Sequence, residues 1–455
     1  MKQLRMNRRD FVRLGTGAVV AGAAASAVAA GNQNAPGILA TRALDEADPT
    51  GETVSFVSIG TGVRGCNLLQ AARQAKIGVC VGAADLYDGR HQAAIETWGA
   101  RIPTTRDYRT LLDRKEVKAV VVAVPDHLHR RVVLDCIAAG KDVYCEKPMS
   151  HNVADGLAMA QAVQANKRIF QAGSQRVSSV LYKKAAEIFA SGSLGEVHLI
   201  EGHSDRNSPS GAWVYPIPPD ASPATIDWDS FLRDAPARPF DAARFFRWRC
   251  FADYGEGAAG DLYVHLLSGI QAITGINTTP SRAYSTGSLT HFKDGRDFPD
   301  LLATMYDYPG VTVNLHCNQN NEAGEPIIFY GSKATMVING NSLTVTPQDV
   351  NPRPEGYSIN GWPAALRNQY LEEWHQAHPA APAKLAEVES YTTPPGYNDT
   401  ADHMLTFFKA VISRQQVEEN EVFGNNTAIA CHMANHSYFH RNVAVWDEAG
   451  KTIKG

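Results

Sequence analysis

Residues 53–59, Thr-Val-Ser-Phe-Val-Ser-Ile, form a short apolar run rich in β-branched side chains, the pattern of a buried strand. Helical spacing follows at Val63, Leu68, Leu69 and Ala72, and a second apolar run covers 79–84. Residues 118–124 are apolar throughout after Lys118, as a strand covered on both faces requires. Spacing over 132–139 predicts a helix, and one more strand runs over 142–145. Strands alternating with helices predict an α/β domain with a doubly wound parallel sheet over 53–174.

Beyond Gln175 and Arg176 the rhythm changes. A helix is predicted over 180–190, then strand-like runs at 197–204, 280–288, 301–307, 311–317, 326–330, 334–338 and 342–346. This pattern predicts an α+β domain over 175–455 with a large, mostly antiparallel sheet. Two late helices are expected at about 400–413 and 425–440. Segments 206–229 and 347–398 are proline-rich and long for loops, so each is expected to be functional or peripheral.

Hydrophobic residues at 44% and charged residues at 20% exclude a disordered chain, a collagen-like repeat and a multi-span membrane protein. A net charge of −4 argues against a nucleic-acid partner. Seven scattered cysteines make neither a disulfide framework nor a zinc-type pair, and Cys80, Cys136 and Cys145 read as small buried hydrophobes. The chain opens Asn7-Arg8-Arg9-Asp10-Phe11, followed by a weakly apolar stretch to Ala30 with a small-x-small site at 27–29. That order resembles a twin-arginine export signal over 1–30 and implies a periplasmic or otherwise exported protein, with no stable membrane span once the signal is removed. Cleavage would take the net charge to near −8. Residues 31–52 are expected to be a linker or arm, and 31–50 a candidate strap over a bound cofactor.

The turn after the first strand is Gly60-Thr61-Gly62-Val63-Arg64-Gly65, a GxGxxG. Gly60 serves the tight turn, Gly62 the close approach of a pyrophosphate, and Gly65 helix–strand packing. The pyrophosphate would rest on the N-terminus of the following helix. Asp85 ends the second strand 25 residues after Gly60, where an acidic residue meets the adenosine ribose. A like charge there disfavours a 2′-phosphate, so NAD is expected over NADP.

The third strand stops at Pro125-Asp126-His127-Leu128-His129, and the fourth at Glu146-Lys147-Pro148. A dinucleotide cradle with these two strand ends resembles the Gfo/Idh/MocA family, named for glucose–fructose oxidoreductase and inositol dehydrogenase. The resemblance spans about 53–445. It implies a sugar or polyol-like substrate, a cis peptide before Pro148, and a homo-oligomer joined through one sheet face. Strand-end position alone aims Lys147 at the nicotinamide pocket. Val63, Arg64, Pro125 and Glu146 are expected to bind cofactor with the residues above. His127 and His129 are candidates for the ribose, or else satisfied loop histidines.

In the second domain, Gly260-Asp261-Leu262-Tyr263-Val264-His265 opens an apolar helix. At i, i+4 spacing Asp261 and His265 share a helical face, and a carboxylate on an imidazole suits a general base. The family's dehydrogenases carry such a pair beside the lysine, so Lys147, Asp261 and His265 are the expected catalytic set. The same spacing would suit two metal ligands, but no third is evident and no metal is expected. Gln175, Arg176, Trp213, Tyr215 and Tyr263 are candidate substrate contacts; Trp213, Tyr215 and Trp228 suit either sugar stacking or core packing. The row His432, His436, His440 reads as a polar helix face, and 293–297 as a solvated turn. The favoured reading is an NAD-dependent sugar oxidoreductase. A rival is a glycosidase working through transient sugar oxidation, since members of the α-N-acetylgalactosaminidase kind carry Gly-Asn-Leu-Tyr-Pro-Thr-His at this segment. A non-catalytic sugar sensor is the third.

Overall fold

The computed structural model describes residues 36–40, 51–349, 353–379 and 387–455. The expected signal over 1–30, and all of the arm but 36–40 and 51–52, lie outside the described residues. The first strand, β1 (Gly37–Ile38), is followed by six parallel strands: β2 (Val54–Ile59), β3 (Gly78–Ala84), β4 (Thr104–Thr105), β5 (Ala119–Val122), β6 (Asp142–Cys145) and β7 (Phe170–Ala172). Their order is β4-β3-β2-β5-β6-β7, so the chain reverses direction between β2 and β5. All four residues of β5 and of β6 are buried; β5 is apolar throughout, and the one charged residue of β6, Asp142, is paired with Arg414 and the Ile169 N–H.

The glycine turn is dictated by sterics. Gly60 has φ +86°, and a Cβ there would lie 2.4 Å from the Ala123 carbonyl oxygen. A Cβ on Gly65 would lie 2.0 Å from the Gly60 oxygen. No larger residue fits either position without moving β2 away from β5 or from the helix Val63–Gln74.

The remaining strands are β8 (Val197–Asp205), β9 (Arg282–Ser288), β10 (Leu301–Tyr308), β11 (Val311–Asn318), β12 (Ile327–Gly331), β13 (Ala334–Asn339), β14 (Ser342–Pro347), β15 (Glu389–Thr392), β16 (Ala444–Asp447) and β17 (Thr452–Lys454). With β1 they build an eleven-stranded sheet ordered β1-β15-β14-β13-β12-β8-β11-β10-β9-β16-β17. It is antiparallel except where β8 meets β11 and β1 meets β15. One face packs on the helices Val180–Ala190, Val264–Thr274 and Glu421–His440. The other is open: Tyr284 and Met305 are each 52% exposed on it. Alternation along β11, buried at Val311, Val313, Leu315 and Cys317, is the expected signature of such a one-sided sheet.

Two features depart from the sequence pattern. The segment 347–398 contains a 14-residue helix, Ala364–Ala377, with no buried residue. The helix Asp399–Ser413 packs on the first sheet rather than the second, with Phe408 5.2 Å from Phe56. No helix among the described residues is long and apolar enough to cross a membrane.

Candidate active site

A cleft of about 430 Å³ opens beyond the carboxyl ends of β2, β3 and β5. Gly60, Gly62, Val63 and Arg64 form its floor, with Asp85 and Pro125 beside them. No side chain caps the N-terminus of the helix Val63–Gln74, so its dipole faces the cleft. Gly65 serves packing behind this floor. The second domain closes the far wall with Tyr215, Phe231, Phe245, Phe246, Trp248 and Arg249. A turn with Gly60 and Gly62 leading into an uncapped helix fits a dinucleotide pyrophosphate.

Asp85 is buried and well anchored. One carboxylate oxygen accepts from the Thr61 N–H at 2.7 Å, the other from the Tyr87 N–H at 3.0 Å. Arg90 reaches the same carboxylate at 3.4 Å and also lines the cleft. Its guanidinium lies 5.4 Å from the Phe245 and Phe246 rings.

Several expected contacts fall elsewhere. The ring nitrogens of His127 face the carbonyls of Phe231 (2.8 Å) and Tyr254 (3.3 Å) in the second domain, and neither nitrogen is turned to the cleft. Burial pushes this imidazole down to about 4, so it is neutral. His129 is fully buried between the carbonyls of Pro148 and Val124. Both lie in the first turn of the helix Asp126–Ala138 and tie it to its surroundings, each neutral ring donating to one of the carbonyls it faces. Glu146 is also buried; it accepts from Arg64 Nε at 2.7 Å and so fixes Arg64, which donates onward to Gln175 Oε1 at 3.2 Å.

Lys147 ends β6 at a cis peptide to Pro148. Its Nζ donates to Asp261 twice, at 2.8 Å to the carbonyl and 2.8 Å to Oδ1. Arg249 Nε donates to the same Oδ1 at 2.8 Å, and the Trp213 indole N–H to Oδ2 at 2.9 Å. Burial alone would raise the Asp261 carboxyl; Lys147 and Arg249 override it and hold the group well below the usual carboxylate range. Arg249 thus spans from the cleft wall to the lysine's anchor. No sequence signal marks it, because the 3-10 turn that carries it, Trp248–Cys250, is too short for periodicity and matches no motif.

Asp261 makes no hydrogen bond to His265, contrary to the i, i+4 expectation. Residues Ala259–Tyr263 form a π-helical turn before the helix Val264–Thr274, which changes the spacing the expectation assumed. The carboxylate is moreover saturated by two cations and an indole. His265 Nδ1 is buried without a partner. Burial first, then the charges of Lys147 and Arg176, hold this imidazole well below its ordinary value despite an opposing pull from Asp261. The ring is therefore neutral.

Of the remaining candidates, Arg176 donates to Glu325 at 3.1 Å and keeps one buried Nη1 unpartnered. Glu325 is also bound by Arg206 at 2.6 Å. Tyr215 lines the cleft. Trp213 is only 1% exposed, so it offers no face for a sugar and acts through Asp261. Tyr263 is fully buried, and its hydroxyl donates to the Leu302 carbonyl at 2.7 Å, tethering the π turn to the sheet. Trp228 is buried, stacked on Phe231. The turn 293–297 is not simply solvated: Arg296 is 4% exposed and donates to the Ala212 carbonyl at 2.9 Å, next to Trp213. His432 is buried against Glu256 (2.6 Å), whereas His436 and His440 stack at 4.1 Å further along the helix. Residues 36–40 lie on the edge of the large sheet, where β1 pairs with β15, and do not line the cleft.

Residues 54–174 match the oxidoreductase family with an NAD-binding Rossmann fold, the Gfo/Idh/MocA family. The chain is 32% identical over 182 residues to inositol 2-dehydrogenase 1 of Saccharopolyspora erythraea, a match covering 39% of this chain and 53% of that one. It spans about half the length of the curated relatives it matches. Over 86% of the chain the fold superimposes on levoglucosan dehydrogenase in complex with NADH and levoglucosan, covering 99% of that chain with a TM-score of 0.64 at 17% identity. It also superimposes on an aldose–aldose oxidoreductase from Caulobacter crescentus complexed with glycerol, with a TM-score of 0.62 at 15% identity over 87% of this chain and all of that one. Residues 54–174 are thus a Gfo/Idh/MocA-type NAD-binding Rossmann domain, joined here to a large open-faced sheet in the fold of these sugar oxidoreductases.

Proposed function

We propose that the protein is a nicotinamide-dependent oxidoreductase acting on a hydroxyl of a sugar or sugar derivative. The observation that carries this reading is His265, buried with an unpartnered Nδ1 and kept neutral partly by the charge of Lys147, whose anchor Asp261 is also bound by Arg249 of the cleft wall. When bound, the dinucleotide supplies the hydride acceptor. His265 takes the hydroxyl proton, and Lys147 donates to the substrate oxygen where negative charge develops. Asp261 holds the lysine in place, with Arg249 and Trp213 fixing Asp261 in turn. The names of the inositol and levoglucosan dehydrogenases support a polyol or sugar substrate.

The cofactor in this reading is NAD: Asp85 follows β3 beside the cradle, and its carboxylate also engages Arg90, which draws that guanidinium away from a 2′-phosphate. The export-like signal supports retention of the cofactor through a redox-neutral cycle, as in a transfer between two aldoses. Twin-arginine substrates leave the cytoplasm folded, and little free dinucleotide is available outside it. The open face of the large sheet is where a second copy would dock. The Gly-x-Leu-Tyr shared with glycosidases gives them no support, because Tyr263 is a tether to the sheet.

The test is to purify the protein without added dinucleotide, extract it, and identify what is bound by mass. A screen of sugars and glycosides follows. Bound NAD with turnover needing no added cofactor is expected. NADP bound as tightly as NAD overturns the cofactor choice, and empty protein releasing stoichiometric NADH overturns retention. Failure of every sugar, polyol and glycoside to turn over would sink the oxidoreductase reading.

A further inference from the structure

On the open face of the large sheet, away from the cleft, two histidines and an aspartate converge. His203 on β8 and His316 on β11 are direct neighbours in the parallel ladder, and their rings lie 4.1 Å apart. Asp205, two residues beyond His203, projects on the same side of β8. Its Oδ2 lies 3.2 Å from His316 Nε2 and 4.0 Å from His203 Nδ1. One nitrogen from each ring and one carboxylate oxygen all fall within 4.8 Å of one another.

We propose that His203, Asp205 and His316 form a binding site for a divalent transition-metal ion such as zinc. Two imidazoles and a carboxylate are a donor set suited to zinc, and a fourth position is left to water. Ligand atoms about 2.0–2.1 Å from a tetrahedral ion are about 3.3 Å apart. The Asp205–His316 pair already meets that spacing. The wider gaps close by rotation of imidazoles that are 28% and 36% exposed. The carboxylate is preset for the role: its Oδ1 accepts from the Asn318 N–H at 3.0 Å, which fixes its orientation and leaves Oδ2 for the ion. The nearby Glu201 carboxylate is engaged by the Tyr330 hydroxyl at 2.7 Å and is not counted as a ligand.

The experiment uses the full chain without a polyhistidine tag, stripped by a chelator, dialysed and titrated with zinc and cobalt(II) separately. The wild type should bind one ion per chain, with cobalt showing the visible absorption of a low-coordinate nitrogen–oxygen site. His316→Ala and His203→Ala should each weaken binding by about 100-fold or more, since loss of a ligand costs at least as much as loss of its supporting shell. His436→Ala/His440→Ala, which removes the exposed histidine pair on the last helix, should leave the stoichiometry unchanged. His316→Gln, of similar polarity, guards against misfolding: with an unchanged thermal transition it should still lose the ion. Wild-type protein that takes up no zinc, or equal uptake by wild type and the His203 and His316 variants, overturns the site. Loss of zinc in the His436/His440 variant alone would do the same.

Discussion

Replacing Asp261 by Asn probes the centre of the candidate site with little change of shape. The carboxylate accepts at both oxygens, from Lys147 and Arg249 on one and from the Trp213 indole on the other. An amide has a single acceptor oxygen. Whichever way it is turned, its NH₂ group faces a donor. The side chains of Asp261, Lys147 and Arg249 are only 15%, 9% and 22% exposed, so water screens the loss poorly. Breaking a buried ion pair from one side costs about 3–5 kcal/mol, and that is the stability loss expected near pH 7. The loss also has a pH signature. Asp261 is held well below the ordinary carboxylate range in the folded chain. Its contribution is therefore complete above the unfolded value of about 4 and drains away as the pH falls below it. Denaturant unfolding of both proteins across acid pH measures this, with the gap widest at neutrality and narrowing in acid. A loss below about 1 kcal/mol at pH 7, or one independent of pH, would refute the assignment of Asp261 as the anchor of two buried cations.

Four further outcomes are expected. His265→Ala and Lys147→Ala should each lower turnover on an identified substrate by about 10²–10⁴-fold, with dinucleotide affinity retained in the His265 variant when measured by direct titration. Because His265 is held well below 6.5, the acid limb of kcat/KM should fall at lower pH than an ordinary imidazole would give, with the rate rising as the ring loses its proton. Gly65→Ala should abolish dinucleotide binding or folding, since its Cβ meets backbone at 2.0 Å, whereas Gly62→Ala meets only the flexible Arg90 guanidinium at 3.3 Å and should fold with weakened binding; circular dichroism and titration separate the two. Trp213→Phe should reduce kcat more than it raises KM, because the indole supports Asp261 and does not stack on substrate; a pure KM effect would restore the stacking role.

The first domain was legible because each of its cues is local. Strand runs buried on both faces are dominated by apolar residues, and the glycine turn is fixed by clashes within a few residues and one neighbouring strand. Partner choice is not local. The spacing of the helix Asp399–Ser413 announces an apolar face, but nothing in it says that Phe407 and Phe408 cover the first sheet rather than the second. The helix Ala364–Ala377 buries none of its residues and so carries no apolar stripe to read. Among proline-rich neighbours it passed for loop.

In the candidate site, the strand-end argument aims Lys147 at the ligand; what the structure shows is its Nζ held on Asp261, outside the residues that line the cleft. The Asp261–His265 pair failed for an equally physical reason. An i, i+4 argument presumes an α-helical turn, and the π turn at Ala259–Tyr263 leaves no trace in side-chain periodicity. What replaces the predicted pair comes from Arg249 and Trp213, each on a short turn that reaches Asp261 only through the tertiary fold. In the proposed reaction this changes how the base would work. An imidazole oriented by a carboxylate gains basicity from it; here the carboxylate is spent on Lys147 and Arg249, and His265 sits in burial and positive charge that weaken it as a base. A weak, neutral base next to a lysine removes a proton only as the substrate oxygen gains charge and is stabilised by that lysine. The two residues must therefore act in one step, so removing either should cost nearly as much as removing both.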